Sequence, residues 1–302
     1  MRIGIFGGDV AAGGGVDELV SAVATAAEHG FSTYWLPQIF GGDAITYLSI
    51  IGREVPRIEL GTAVVPVQPR HPTVIAAQAL TAQATSGGRF TLGIGLSHQW
   101  VIESMFGLSF DKPVRFMREY LEILGPLIRT GAADVTGEVL STHASLDVAG
   151  SQPCPIVVAA LGPQMLNVAA RLADGTITWM TGPATLESHT IPTLTKAAEA
   201  AGNPGPRIVS ALPVGVTDDV PAAKEWAART FSVYGQLPSY RAMLDREGAA
   251  GPADVAIVGT ADEVKVSISR MADVGVTDFV AVEFLRDEAE RKATRDVLRS
   301  FV

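Results

Sequence analysis

His98 stands three residues beyond Gly95, the last residue of an apolar run, and histidine is the side chain that changes charge nearest neutral pH. The remaining histidines, His29, His71, His143 and His189, are widely spaced and form no H-x-H or H-E-x-x-H pattern, so the ligand cluster of a metal hydrolase does not assemble from sequence. A Schiff-base mechanism needs a lysine at a strand end, whereas Lys112, Lys196, Lys224, Lys265 and Lys292 fall in helical patterns or in a long insertion. Glycoside hydrolysis needs two opposed carboxylates, and Glu103, several residues past its strand, has no convincing partner. Cys154 is alone between two prolines, which excludes a disulfide within the chain. Gly7-Gly8-Asp9 followed by Gly13-Gly14-Gly15 lacks dinucleotide-binding spacing, and no phosphate-loop motif is present. What is left is apolar, aromatic and glycine-rich: Gly7, Trp35, Gln38, Leu96, Ser97, Leu161, Gly162, Trp179 and Thr181. Such a lining suits a planar cofactor that carries its own chemistry.

The elements that must position these residues alternate. Short apolar runs at Arg2–Phe6, Phe31–Leu36, Ile58–Val65, Phe90–Gly95, Pro155–Ala160, Gly175–Trp179, Arg207–Val216 and Val276–Val282 read as strands separated by helical patterns. Pro72 opens one helix and Gly87-Gly88 closes it. Thr260 and Glu263 form a capping box at another. Eight strands in this rhythm predict an α/β fold, a closed (β/α)8 barrel, with an open doubly wound sheet as the alternative. The gap between the fourth and fifth strands holds more than one helix. A long helix runs from Pro113 to Arg129, and Ala132–Val148 reads as a hairpin or irregular excursion. The expectation is one domain over 1–302 with an insertion at about 97–154. In a barrel the chemistry sits at the C-terminal strand ends, where the residues above fall. Several also have structural readings: Trp35 and Trp179 as barrel-wall packing, Arg70-His71 as a helix cap, Gly162-Pro163 as a turn or an anion site.

The chain has 302 residues and a net charge of −9, and its few lysines are scattered. That balance argues against a nucleic-acid or anionic-membrane surface. Met1–Val10 reads as a strand rather than a signal peptide, and no apolar run approaches a membrane span. A cytoplasmic protein acting on a small molecule is expected.

In order and spacing, the motifs resemble the bacterial luciferase-like superfamily, and within it the deazaflavin-dependent reductases and dehydrogenases. The likeness is carried by Ile58–Val65 with Arg70-His71-Pro72 and Ala76-Ala77-Gln78, by Gly88–Gly95, and by Arg115-Phe116 with Glu119. Ala159–Pro163, Ala173-Asp174-Gly175 and Val258-Gly259-Thr260 complete it. The resemblance implies a homodimeric barrel binding coenzyme F-420, with flavin mononucleotide (FMN) and a two-component monooxygenase as the alternative. A non-catalytic cofactor-binding relative is the third reading. It implies that a bulge with a cis peptide at Ala63-Val64 backs the ring. Gly95, Leu96 and Ser97 would run beside it, and backbone amides of Ala160, Leu161 and Gly162 would hold the phosphate. Gly7 and Thr181 join the cofactor-binding candidates from their place at the ends of the first and sixth strands. The sugar-phosphate dehydrogenase branch carries an Asp-His pair where Pro37-Gln38 stands and a glutamate where His98 stands. Glucose 6-phosphate oxidation is therefore not expected. Gln38 and His98 become the catalytic candidates, His98 as proton donor.

Overall fold

The computed structural model describes residues 1–7, 15–38 and 40–302; Gly8, Asp9, Gly13 and Gly14, singled out above, lie outside them. Eight parallel strands form the barrel: β1 Arg2–Phe6, β2 Thr33–Leu36, β3 Glu59–Thr62, β4 Phe90–Gly95, β5 Ile156–Ala159, β6 Gly175–Trp179, β7 Arg207–Val216 and β8 Asp278–Glu283. Each pairs with the next, and β8 returns to β1 through Arg2↔Asp278 and Ile5↔Ala281. The barrel is closed, and the open-sheet alternative is set aside.

The helices ring the outside: α1 Val16–Glu28, α2 Ala44–Glu54, α3 Pro72–Thr85, α4 Pro113–Thr130, α5 Pro163–Leu172, α6 Ile191–Ala201, α7 Val220–Thr230, α8 Pro238–Glu247, α9 Ala261–Asp273 and α10 Glu288–Arg299. The capping box at Thr260 and Glu263 is present, and His71 caps α3 by accepting from the Thr73 amide at 3.3 Å. The excursion after α4 is a two-stranded hairpin, Ala132–Thr136 with Ser141–Ser145. Buried Glu119 holds its turn, accepting from the Val139 and Leu140 amides at 2.7 and 2.9 Å.

Several boundaries differ from the sequence expectation; the third strand, for one, stops at Thr62 and the eighth starts at Asp278. The second strand starts at Thr33, because the Phe31 amide is spent on Ala26 at the end of α1. Helix α6 is preceded by a helical turn at Pro183–Thr185 and a π turn at Leu186–Thr190. Helix α7 stops at Thr230 and gives way to a tighter turn at Ser232–Gly235.

The interior fills in layers. Trp35, Val157, Ile177, Val209, Ala211 and Val280 pack as a buried cluster separate from the larger shell between strands and helices. Gly61 leaves room for Trp35: a Cβ there would lie 2.3 Å from its ring. Beneath Trp35, at the N-terminal end, sits an ion network. Arg207 donates to Asp278 at 2.8 and 3.1 Å, to Glu59 at 2.7 Å and to the Thr91 hydroxyl at 3.0 Å, with its guanidinium 5.4 Å from the Trp35 ring centre. Arg2 adds bonds to Glu59 at 2.7 Å and Asp278 at 2.6 Å.

Breaking a buried pair strands its partner, at a cost of about 3–5 kcal/mol. Asp278→Ala is expected to lose that much in equilibrium urea unfolding, and a loss below about 1 kcal/mol, the range of a surface pair, would refute the role given to the network. Burial alone would raise the Glu59 carboxyl, but Arg207, Thr91 and Arg2 outweigh it and hold it below its usual 4.5. A carboxylate shifted down stabilises fully above its unfolded value. The contribution of Glu59 is therefore complete above pH 4.5 and lost as the pH falls through its folded-state value.

Candidate active site

The floor of the barrel mouth is made by a one-residue mismatch between two strands. Leu60 and Gly61 pair with Phe90 and Thr91, whereas Val65 and Pro66 pair with Ile94 and Gly95, so β3 carries one extra residue across this stretch. That is a β-bulge, which re-aims side chains at a barrel rim. The Ala63-Val64 peptide within it is cis, at the position the family resemblance indicated. Thr62 repairs the interrupted ladder with its hydroxyl, which donates to the Gly93 carbonyl at 2.7 Å and accepts from the Gly93 amide at 2.8 Å. Only glycine fits opposite. A Cβ on Gly93 would lie 1.9 Å from the Thr62 carbonyl oxygen, and one on Gly95 would lie 2.8 Å from Val64 and 3.0 Å from Ala159. Ala63, Val64 and Ala159 remain partly exposed, giving the mouth a shallow floor of small side chains.

One side of the mouth carries an open helix start. Gly162 precedes α5 in extended conformation, no side chain caps it, and Gly162 itself is exposed. Free amides at a helix start, aligned with the helix dipole, make an anion site. Ala160 is buried beneath this loop, and Leu161 is pinned by His189, whose Nε2 donates to the Leu161 carbonyl at 2.9 Å. The neighbouring helix start after β6 is closed: Glu247 accepts from the Ala184 and Thr185 amides at 3.0 and 2.7 Å. Thr181 is buried there, its hydroxyl donating to the Trp179 carbonyl at 3.3 Å.

His98 lies beyond β4 and is half-buried, its ring centre 6.1 Å from that of Tyr240 on α8. Because α8 follows β7, the two rings meet across the mouth. Tyr240 continues to Tyr234 at 5.0 Å, Tyr234 to Trp179 at 5.8 Å, and Trp179 to Phe6 at 6.1 Å, an aromatic wall from the end of β4 to the end of β1. Burial pushes the phenols of Tyr234 and Tyr240 up, so both stay neutral. Burial pushes the His98 imidazole below its usual 6.5, so the neutral ring dominates at pH 7.

The structure brings Ala63, Val64, Gly95, Leu96 and Ser97 together along the bulge side of the mouth and Ala160, Leu161 and Gly162 at the open helix start. Gly7 extends β1, its amide donating to the Trp35 carbonyl at 2.8 Å. Gln38 follows β2, and its amide oxygen accepts from the Ala44 amide at 2.7 Å, at the start of α2.

Residues 1–281 match the model of the luciferase-like monooxygenase family. The chain belongs to that family. The luciferase-like chain is 24% identical over 284 residues to the 5,10-methylenetetrahydromethanopterin reductase of Methanolobus tindarius, an alignment covering 85% of this chain and 87% of that one. It is 34% identical over 167 residues to a candidate coenzyme F-420-dependent oxidoreductase of Mycobacterium tuberculosis; that match takes in 51% of this chain and about half, 48%, of the relative. In structure it superposes on the coenzyme F-420-dependent tetrahydromethanopterin reductase of Methanopyrus kandleri with a TM-score of 0.82 at 20% identity, covering 100% of this chain and 98% of that one. Membership of this luciferase-like family makes the chain an enzyme.

Three features of the luciferase-like mouth were not read from sequence. His189 was only one of the scattered histidines, and the π turn at Leu186–Thr190 carries it toward Leu161. Tyr234 and Tyr240 carry no signal in the sequence beyond their place around Gly235 and Pro238, which marks a turn. An NMR titration of the His98 ring is expected to give a midpoint below 6.5. A midpoint at or above that value would mean that the ring is solvated rather than enclosed.

Proposed function

We propose that this enzyme is a coenzyme F-420-dependent oxidoreductase that moves a hydride between the deazaflavin ring and a small organic substrate. The observation that carries the reading is the mouth itself: a floor of small side chains at Ala63, Val64, Gly95 and Ala159, an uncapped helix start at Gly162 on one side, and a half-buried histidine on the other. These residues fit the group. The floor accepts the flat face of a ring, and the Gly162 turn takes a phosphate through backbone amides without any basic side chain. When bound, the deazaflavin supplies or accepts the hydride. In reduction of a carbonyl, the carbonyl carbon gains the hydride, the oxygen gains a proton, and the reduced cofactor gives up two electrons.

We assign that proton to His98, half-buried beside Tyr240 beyond the end of β4. Its lowered pKa sets a direction for each reaction. Carbonyl reduction draws on the imidazolium and speeds up as the pH falls toward the His98 value, whereas alcohol oxidation draws on the neutral ring and holds above it. Gln38 serves instead as a positioning residue, since its oxygen holds the start of α2. Sugar-phosphate oxidation is disfavoured by the same observation, because Pro37-Gln38 offers no acid/base pair. FMN with oxygen is the second reading, favoured by the family's monooxygenase members.

Fluorescence titration separates the two. Tighter binding of coenzyme F-420 than of FMN is expected, and the reverse order overturns the proposal. With a turned-over substrate, His98→Gln is expected to lower kcat by about 10²–10⁴-fold. Unchanged turnover would remove His98 from the chemistry.

A further inference from the structure

At the N-terminal end of the barrel, opposite the mouth, a cavity of about 610 Å³ opens between the starts of β1, β7 and β8 and the ends of α4 and α5. Four arginines line it, Arg2, Arg129, Arg171 and Arg207, against two aspartates, Asp174 and Asp278. On a chain of net charge −9 this is a local reversal of sign. Both aspartates are already engaged. Buried Asp278 takes Arg207 at 2.8 Å and Arg2 at 2.6 Å. Asp174 accepts from the Ile156 amide at 2.7 Å through one oxygen, and its other oxygen stands 3.8 Å from Arg129. The exposed Arg171 guanidinium has no hydrogen bond or ion pair among the described residues.

An arginine in the last turn of a helix ordinarily answers the negative end of the helix dipole. Here the last carbonyls of α5 have another donor: the Asn203 side-chain amide donates to the Ala170 and Arg171 carbonyls at 2.8 and 3.1 Å. The Arg171 head is thereby left for a different acceptor. Part of the rim is Pro204-Gly205-Pro206, in which the prolines fix the backbone and Gly205 carries the one N–H. That amide has no backbone partner among the described residues, and nothing stands within 4 Å of where a Gly205 Cβ would lie. Guanidinium forks take phosphate and carboxylate oxygens in pairs, and several of them around one cavity match a ligand with several charged oxygens. We infer that the cavity binds a small, multiply charged oxyanion, such as a phosphate compound or a polycarboxylate, through Arg2, Arg129, Arg171 and the Gly205 amide. Arg207 and Asp278 form the neutralised base beneath it. The site lies at the other end of the barrel from His98 and does not depend on the hydride-transfer reading.

Calorimetric titration of pyrophosphate and of citrate into the purified protein, at fixed ionic strength, tests it. Each is expected to bind at one ligand per chain and to shift the amide NMR signals of Gly205 and Asp174. Arg171→Gln, on an exposed side chain, is expected to weaken both by about tenfold, the loss of one charge-assisted hydrogen bond. Arg129→Gln is expected to act in the same sense, so the result does not hang on one variant's folding, and Arg171→Glu is expected to abolish binding. Affinity equal in the parent chain and all three variants, or NMR shifts confined to Gly162 and its neighbours, would move the anion to the open start of α5 and overturn the inference. The absence of binding heat with either anion overturns it as well. Two further outcomes do the same. Self-association lost in Arg171→Glu, with no anion bound by the parent chain, would assign the arginines to a second copy. Co-sedimentation with phosphatidic acid vesicles without binding of free pyrophosphate would assign them to a membrane surface.

Discussion

A closed barrel must fill its own interior, and here the filling is organised around one guanidinium. Arg207 reaches Asp278 on β8, Glu59 on β3 and Thr91 on β4, and lies over Trp35 of β2. Side chains from nonadjacent strands are thereby tied at the N-terminal end, where no chemistry is done. A buried cation is tolerated only when its donors are satisfied, and two carboxylates and a hydroxyl satisfy this one. Trp35, seated over it by the absence of a side chain on Gly61, caps the charged layer and begins the apolar one. With that end tied, the opposite end can carry a bulge, open amides and solvent-facing rings.

The bulge shows how a functional irregularity is accommodated in a ladder. An extra residue in β3 leaves Gly93 without its regular partner, and the Thr62 hydroxyl supplies both the missing acceptor and the missing donor. The two glycines of β4 then follow from period-two geometry. Gly93 and Gly95 face the same side of the strand, and a Cβ on either would strike the displaced backbone or Val64. The run Thr91-Leu-Gly-Ile-Gly95 is thus the complement of a bulge one strand away, not a flexible hinge.

Legibility tracks periodicity. Every barrel strand was visible as a short apolar run, the capping box at Thr260 was read from two residues, and the turn residues after α4 marked a hairpin or irregular excursion, which the structure resolves as a hairpin. The bulge was legible only through resemblance, because Ala63-Val64 in isolation looks like any strand interior. His98 drew notice because it follows a strand closely, and the structure sets its ring beside Tyr240. Gln38 shared that signal, and the bond from the Ala44 amide to its oxygen, six residues away, is one that no strand-end rule foresees. His189 and Tyr240 remained hidden because each acts on an element distant in sequence, Leu161 in one case and His98 in the other.

The two π turns explain why such residues escape a periodic reading. A helix that takes in one extra residue rotates everything after it by about 100°, so a pattern counted at 3.6 residues loses phase there. At Leu186–Thr190 the insertion delivers His189 to the Leu161 carbonyl and steadies the turn that precedes the open amides of α5. At Val101–Met105 it lets Val101 and Ile102 stay in the core while Trp100, Met105 and Phe106 face outward. Both insertions sit at the C-terminal end of the barrel, one beside the open helix start and one beside His98. The fold departs from regular helix where the candidate site needs a side chain aimed off the regular phase, and the strands and helices that position these turns keep their ordinary geometry.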